Sequence, residues 1–368
     1  GFMDRKDEAV AGFARTAKNV DAVWARRWTR IWNLNSFTFQ GTNMALFLAG
    51  SLFNHSCHPN GIYQTLSGKE AAIFRAVLDI EIGEEVTLGY TTTKDPTREA
   101  RQQELLQEKL FDCRCSWCLQ PDWSRSMRCN TQGCLGALAP PNWHCPQCQQ
   151  SFTDADMPLS AESWITAVVI DHDVHHAQYC HEHFVATLLL AQDLLGPRHW
   201  TVKFMACLLL ENAYSKGRRG IRTIGPSLLC LTRFYFFWAQ QICPPEQSTV
   251  DFVGTMHQSV QALLTLDMRK EAAALAEASL PLYRAVWGAS DPDTVFLQEI
   301  ASARVQTSSF LDSFSWDRMP QELPKLCATT PEGCPDDGRA SRVRKDLHEA
   351  LARGADPLAT YHLGLALW

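Results

Sequence analysis

The sequence predicts an α+β chain in which a partial β-fold and a cysteine-rich zinc segment precede a long helical half. Three observations carry that expectation. Short β-branched and aromatic segments are confined to residues 35–90, eight of the fourteen cysteines crowd between Cys57 and Cys148, and apolar residues recur at helical intervals from Leu159 onward.

Residues 1–34 read as helical, since Phe13, Val20, Val23, Trp24, Trp28 and Ile31 recur at helical spacing with Arg and Lys between them. From Asn35 the texture changes. The segments NSFTF, GIYQTL, EAAIFRAVLDI and EEVTLGY are separated by turn formers such as Ser67-Gly68 and Gly83, and each reads as a strand. Asp95-Pro96 then offers an N-cap followed by proline at the first helical position, so a helix is expected over TREARQQELLQEKL. Residues 113–150 hold few aliphatics and cannot build much of a core without metal. Beyond Leu159 the pattern is helical to the end, with a break near residues 330–341.

Within the helical half, DLLGPRHWTV from Asp193 and AVWGASDPDTV from Ala285 resemble each other. Each ends an apolar helical pattern with glycine, crosses a polar turn and restarts at Thr-Val. That is a helix-turn-helix repeat signal of the tetratricopeptide kind. ALARGADPLATYHLGLAL near the end reads either as another such hairpin or as a plain helix pair.

At 368 residues the chain can bury roughly three quarters of its unfolded surface, so stability does not require disulfides. Thiols bunched at short spacing are instead what zinc binding requires, and reduced thiols imply the cytoplasm or the nucleus. The 34 Lys and Arg against 40 Asp and Glu give a net charge of −6, with no global basic field to hold nucleic acid by its phosphates. No apolar run approaches the length of a membrane span, and GFMDRKDEAV at the start carries charge where a signal peptide would be apolar. The aromatic run LLCLTRFYFFWA contains Arg233 and reads as a buried helix.

FDCRCSWC places Cys113, Cys115 and Cys118 within six residues. A structural zinc takes four ligands in a tetrahedron, so a fourth must come from elsewhere, and Cys57 is the candidate. RCNTQGC and WHCPQC supply Cys129, Cys134, Cys145 and Cys148, two knuckles that form a complete zinc-ribbon set. Two structural zinc ions are therefore expected. DHDVHHAQYCHEHF is more ambiguous. On one helix His172, His176, Cys180 and either His183 or Glu182 would share a face, yet the same stretch is also an ordinary solvated helix face, which is the reading preferred here. SKGRRGIR reads as a solvated basic loop.

The order NSFTF, GTNMALFLAGSLFNHSCHPN, GEEVTLGY, CRCSWC, followed by a helical carboxyl-terminal half, resembles the SET-and-MYND-domain family of protein-lysine methyltransferases from the middle of its SET domain onward. The resemblance implies a use for each matching residue. Asn35, Asn54 and His55 fall at positions that hold S-adenosylmethionine, Phe111 at the aromatic that closes over that cofactor, and Tyr90 at the catalytic tyrosine, which also faces the cofactor. Phe37 and Ser51 fall in the lining of the lysine channel. The asparagine-histidine segment is expected to pass beneath the strand that ends in Tyr90.

The family layout further implies a partial SET domain over residues 1–93, a post-SET zinc segment and ribbon over 94–150, and a tetratricopeptide-like helical domain over 151–368. The glycine-rich cofactor strand, the first SET strands and the MYND finger would all precede residue 1, so the expectation is an amino-terminally truncated enzyme, inactive in this form if those strands are indispensable. The implied partner is a protein substrate presenting a lysine, with further protein partners on the helical domain, no membrane, no nucleic acid, and a monomeric state. The alternative is a non-catalytic zinc-stabilised interaction scaffold. Two positions depart from the family pattern. Lys109 stands where relatives often carry an aromatic, and Gly89 where a hydroxyl or amide residue is common.

Overall fold

The computed structural model describes residues 21–39, 43–65, 71–91, 96–175, 181–225, 227–302, 316 and 339–354. The chain is α+β and divides into two compact units, Gly1–Lys94 with Glu99–Trp117 and Asp95–Arg98 with Cys118–Trp368.

The first unit begins with α1 (Ala22–Asn35), capped by the Asp21 carboxylate, which accepts from the Val23 N–H at 3.0 Å. The earlier part of the expected amino-terminal helix lies outside the described residues. The Asn35 amide turns back on the Ile31 carbonyl at 2.8 Å, and Ser36 leaves in extended conformation. Strands β1 (Phe37–Phe39) and β2 (Asn43–Ala45) form an antiparallel pair, as do β4 (Gly61–Thr65) and β5 (Ala72–Ala76). Between them β3 (Asn54–His55) runs parallel to β6 (Thr87–Leu88).

Aromatic rings from several of these segments meet in one cluster. Phe37 lies 4.9 Å from Tyr63 and 5.9 Å from Phe74, and Phe53 lies 5.3 Å from Phe74, centroid to centroid. Edge-on contacts at such separations add modestly to the area buried. The cluster fixes where the chain between β2 and β3 crosses the sheet residues.

Helix α2 (Arg98–Lys109) starts later than the sequence suggests. Asp95 is outside the described residues, while Pro96 and Thr97 precede the helix. The cap comes from a distant loop, because the Arg98 N–H donates to the Asp122 carboxylate at 2.6 Å. At the other end Leu110 takes a φ of 63°, a left-handed conformation that terminates the helix at a residue without glycine's freedom. The short helix α3 (Ser116–Leu119) follows.

The second unit opens with the β7 (Met127–Arg128) and β8 (Ala137–Leu138) hairpin. It continues through α4 (Leu159–Val174), α5 (His181–Leu195), α6 (Trp200–Ser215), α7 (Gly217–Ile224), α8 (Ser227–Gln241), α9 (Val250–Thr265), α10 (Arg269–Val286), α11 (Pro292–Ser302) and α12 (Arg339–Ala352). The two resembling segments are indeed hairpins. Gly196 follows α5 with φ 103° and Gly288 follows α10 with φ 95°, so each glycine supplies the left-handed residue that ends a helix before the next begins. The aromatic run forms α8, with Leu228, Leu231, Phe234, Tyr235, Phe236 and Trp238 all buried.

Two sequence expectations are corrected here. The His-rich stretch is not one helix, since α4 ends at Val174 and α5 starts at His181, placing His172 and His183 on successive helices. His176, Cys180 and the side chain of Glu182 lie outside the described residues. SKGRRGIR is not a loop either, because most of it forms α7, whose Gly220 and Ile224 are buried. An apolar side at helical spacing outweighed its charge. The break expected near 330–341 lies mostly outside the described residues, with helix resuming at Arg339.

Two buried polar groupings tie the second unit together. Glu162 on α4 receives Arg125 at 2.6 Å and His199 at 3.2 Å. Burial pushes its carboxyl pKa up, but these bonds outweigh burial and hold it below the usual range. On α6 the buried Lys203 ammonium lies 2.8 Å from Glu246, above the Trp238 ring at 5.1 Å. Burial alone would lower its pKa, and Glu246 more than compensates.

Candidate active site and metal centres

The site in the first unit is built where β3 and β6 run side by side. Asn54 faces Thr87 and His55 faces Leu88, and the register continues with the Ser56 N–H donating to the Leu88 carbonyl at 3.1 Å. Asn60, which is buried, locks the pair. Its amide oxygen accepts from the Thr87 N–H at 2.8 Å while its NH₂ donates to the Glu85 carbonyl at 2.9 Å and the Glu84 carboxylate at 3.2 Å. One side chain thereby satisfies the polar groups of a strand too short to satisfy its own.

This arrangement brings His55 and Tyr90 together. The Tyr90 N–H donates to His55 Nδ1 at 3.0 Å, so the ring proton sits on Nε2, which lies 3.2 Å from the Cys57 sulfur. Burial above all lowers the His55 pKa to about 4, leaving a neutral imidazole at physiological pH. The Tyr90 hydroxyl donates to the Phe53 carbonyl. Burial, then the Glu85 charge, raises its pKa, so the phenol stays protonated and remains a donor.

A cavity of about 680 Å³ opens beside these groups, lined among others by Asn54, His55, Tyr90, Phe111, Glu85 and Arg114. Its size falls within the range of small-molecule and cofactor sites. The Asn54 amide donates to the Glu85 carboxylate at 2.6 Å, and the His55 ring lies 5.2 Å from Tyr90 and 5.9 Å from Phe111. Of the residues singled out from sequence, Asn54, His55, Tyr90 and Phe111 therefore share one cavity wall. Asn35, Phe37 and Ser51 are not among the lining residues. Asn35 closes α1, Phe37 joins the aromatic cluster, and the Ser51 hydroxyl donates to the Leu48 carbonyl at 2.9 Å.

Two cysteine sets are positioned for metal. In each of the sets Cys57, Cys113, Cys115, Cys118 and Cys129, Cys134, Cys145, Cys148, the four sulfurs lie within 4.8 Å of one another. A tetrahedral ion with zinc–sulfur bonds of about 2.3 Å would set its thiolates about 3.8 Å apart. The separations of 3.9 Å for Cys57 and Cys113, 3.6 Å for Cys129 and Cys148, and 3.7 Å for Cys134 and Cys145 match that spacing. Both sets could hold zinc. Among the described residues no His/Cys/Asp/Glu set including His172 or His183 gathers in this way.

Sequence reasoning missed the groups that position these ligands. Gln102 on α2 clamps the Cys113 peptide, donating to its carbonyl at 2.6 Å and accepting from its N–H at 2.8 Å. Gly136 is glycine because a Cβ there would collide with the Cys145 sulfur. Asn60 carried a signal in its place at the end of the NHSCHPN segment, whereas Gln102 looks like any exposed helix residue in the sequence.

Residues 5–91 match the family model for the SET domain. Over this part the chain is similar to proteins of the SET-and-MYND group. It is 32% identical over 124 residues to the SET domain-containing protein SmydA-8, isoform B, of Drosophila melanogaster, an alignment covering 31% of this chain and 27% of that one. To the human histone-lysine N-methyltransferase SMYD3 it is 36% identical over 98 residues, 25% of this chain and 22% of the relative. To the N-lysine methyltransferase SMYD2-A of Xenopus laevis it is 38% identical over 91 residues, 23% of this chain and 20% of the relative. The chain thus spans about a quarter of the length of the curated relatives it matches. Among the described residues no helix is long and apolar enough to cross a membrane.

Proposed function

We propose that this chain is an S-adenosylmethionine-dependent protein-lysine N-methyltransferase. One observation carries the reading: Asn54, His55, Tyr90 and Phe111 converge on a single cavity whose edge includes two of the zinc-competent thiols, Cys113 and Cys115. A polar cradle with an aromatic wall suits an adenosyl sulfonium, which needs hydrogen-bond partners for its polar groups and a face for its ring.

When bound, the cofactor supplies an electrophilic methyl group. The chain's own residues would do the rest. Asn54 and His55 would hold the cofactor and Phe111 would cover it and exclude water, with Asn35 assigned to it by the resemblance alone. Tyr90, whose phenol stays protonated, would orient the incoming amine; Phe37 and Ser51, which do not line the cavity, are placed on the amine's approach by the resemblance alone. Desolvation in that aromatic surrounding favours the neutral amine, the only form able to attack. Alignment and exclusion of water then account for most of the rate. Zinc in either thiol set would be structural, and in the first set it would tether the Phe111 segment to the β3 segment.

The helical half is read as a tetratricopeptide-like domain that binds protein partners, in a monomer of the cytoplasm or nucleus, where thiols stay reduced. Relatives are named for histone-lysine and N-lysine methyl transfer, and the substrate proposed here is accordingly a lysine in a histone or other protein. Isothermal titration of S-adenosylmethionine into the zinc-loaded chain tests the reading. Saturable binding that Asn54→Ala weakens supports it, and no binding by a folded, zinc-loaded chain would leave the scaffold reading in its place.

A further inference from the structure

Lys109 closes α2 and directs its side chain inward, to the same phenol that lines the cavity. Its ammonium lies 5.4 Å from the centroid of the Tyr90 ring, over the ring face. It also donates to the carbonyl of Leu34 at 2.8 Å, at the end of α1 and next to Asn35. A lysine at a helix carboxyl terminus ordinarily sends its charge into water beside the last carbonyls. This one is half-buried instead, and reaches a carbonyl 75 residues away in sequence. The next residue is Leu110 in its left-handed conformation and the one after is Phe111 of the cavity wall.

An aromatic face and a backbone carbonyl together are a recognition site for a primary ammonium. We propose that Lys109 is a built-in plug of the amine site: its ammonium occupies the place against Tyr90 and Leu34 that the ammonium of a substrate lysine would take. The inference rests on the methyltransferase reading, and adds to it that substrate must displace a side chain of the enzyme itself. A lysine entering the site meets a like charge already there, and only a segment whose remaining contacts outweigh that repulsion gains entry. Lys109 would thus set selectivity without touching the cofactor.

Binding measurements separate the plug from the reading it rests on. The probes are S-adenosylhomocysteine and an analogue of it that carries a butylammonium chain at the sulfur position, projecting toward Tyr90. In the native chain the extended analogue must compete with Lys109. Lys109→Met should leave the affinity for S-adenosylhomocysteine unchanged and tighten the extended analogue by about tenfold. Lys109→Arg, which keeps the cation, should retain the native ratio of the two affinities. An unchanged ratio in Lys109→Met, or an equal gain in both variants, overturns the proposal. Failure of the native chain to bind S-adenosylhomocysteine would overturn the methyltransferase reading and the plug with it. Zinc content and thermal melting report folding, and if Lys109→Met does not fold, Lys109→Gln, which removes the charge and keeps a donor, takes its place with the same expected outcomes.

Discussion

His55 accepts the backbone N–H of Tyr90 at 3.0 Å while its other ring nitrogen lies 3.2 Å from the sulfur of Cys57. A single neutral imidazole thus joins the end of β6, the cavity and the first thiol cluster. The position of the Tyr90 phenol depends on this bridge, because the ring follows from the backbone that His55 fixes.

Tyr90→Phe removes only the hydroxyl. It should lower methyl transfer by roughly 10²-fold, the usual scale for a positioned proton-bearing group. The count of bound zinc, read by elemental analysis, should stay at the native value. Unaltered turnover in a radiolabelled methyl-transfer assay would take Tyr90 out of the mechanism.

Each thiol cluster should bind one zinc. Cys57→Ser is expected to lose one ion and to disorder the Phe111 segment, whereas Cys145→Ser should lose the other ion and leave cofactor binding in place. Native mass spectrometry counts the ions directly. A Cys57→Ser chain that still carries both would show that Cys113, Cys115 and Cys118 complete their set with another ligand.

Asn60→Ala leaves the Thr87 N–H of β6 and the Glu85 carbonyl ahead of it without their side-chain partner. Losing both bonds should cost about 1–3 kcal/mol. Hydrogen exchange should show the loss concentrated at residues 85–90. Protection unchanged at Thr87 would mean that water replaces the side chain.

Lys203 and Glu246 should behave as a buried pair in the second unit. Glu246→Leu alone strands a buried ammonium and should destabilise by about 3–5 kcal/mol. Combining it with Lys203→Met should recover most of that loss, since two apolar side chains of similar volume suit a pocket already walled by Phe204, Tyr235 and Trp238. Denaturant unfolding of the single and double variants measures the coupling, and additive effects would contradict it.

The local features were legible because their causes are local. Phe37, Tyr63 and Phe74 announced strands through residue type, and α8 announced itself through a run of apolar and aromatic residues. The glycines after Leu195 and near Val286 marked hairpin turns because only a left-handed residue ends a helix so sharply. The cysteine knuckles were equally plain, since ligands a few residues apart are brought together by the chain itself. Where the prediction failed, a non-local contact had decided. Asp122, from a distant loop, caps α2, which begins at Arg98 and not at Pro96, and the charged stretch around Arg218 folded as helix because Gly220 and Ile224 found a core.

The sequence by itself determined the fold class, the two sets of four thiols as candidates, and seven candidate site residues, of which Asn54, His55, Tyr90 and Phe111 meet at the cavity while Asn35, Phe37 and Ser51 do not line it. Tertiary structure alone decided which groups hold them there: Asn60 across to Thr87, Gln102 back to Cys113, and Lys109 over Tyr90 to Leu34. The physical reason is the range of each force. Backbone propensity and chelate spacing act over a few residues, whereas a hydrogen bond or a cation over a ring acts over a few ångströms, and nothing in the order of residues states which distant groups the folded chain will bring that close.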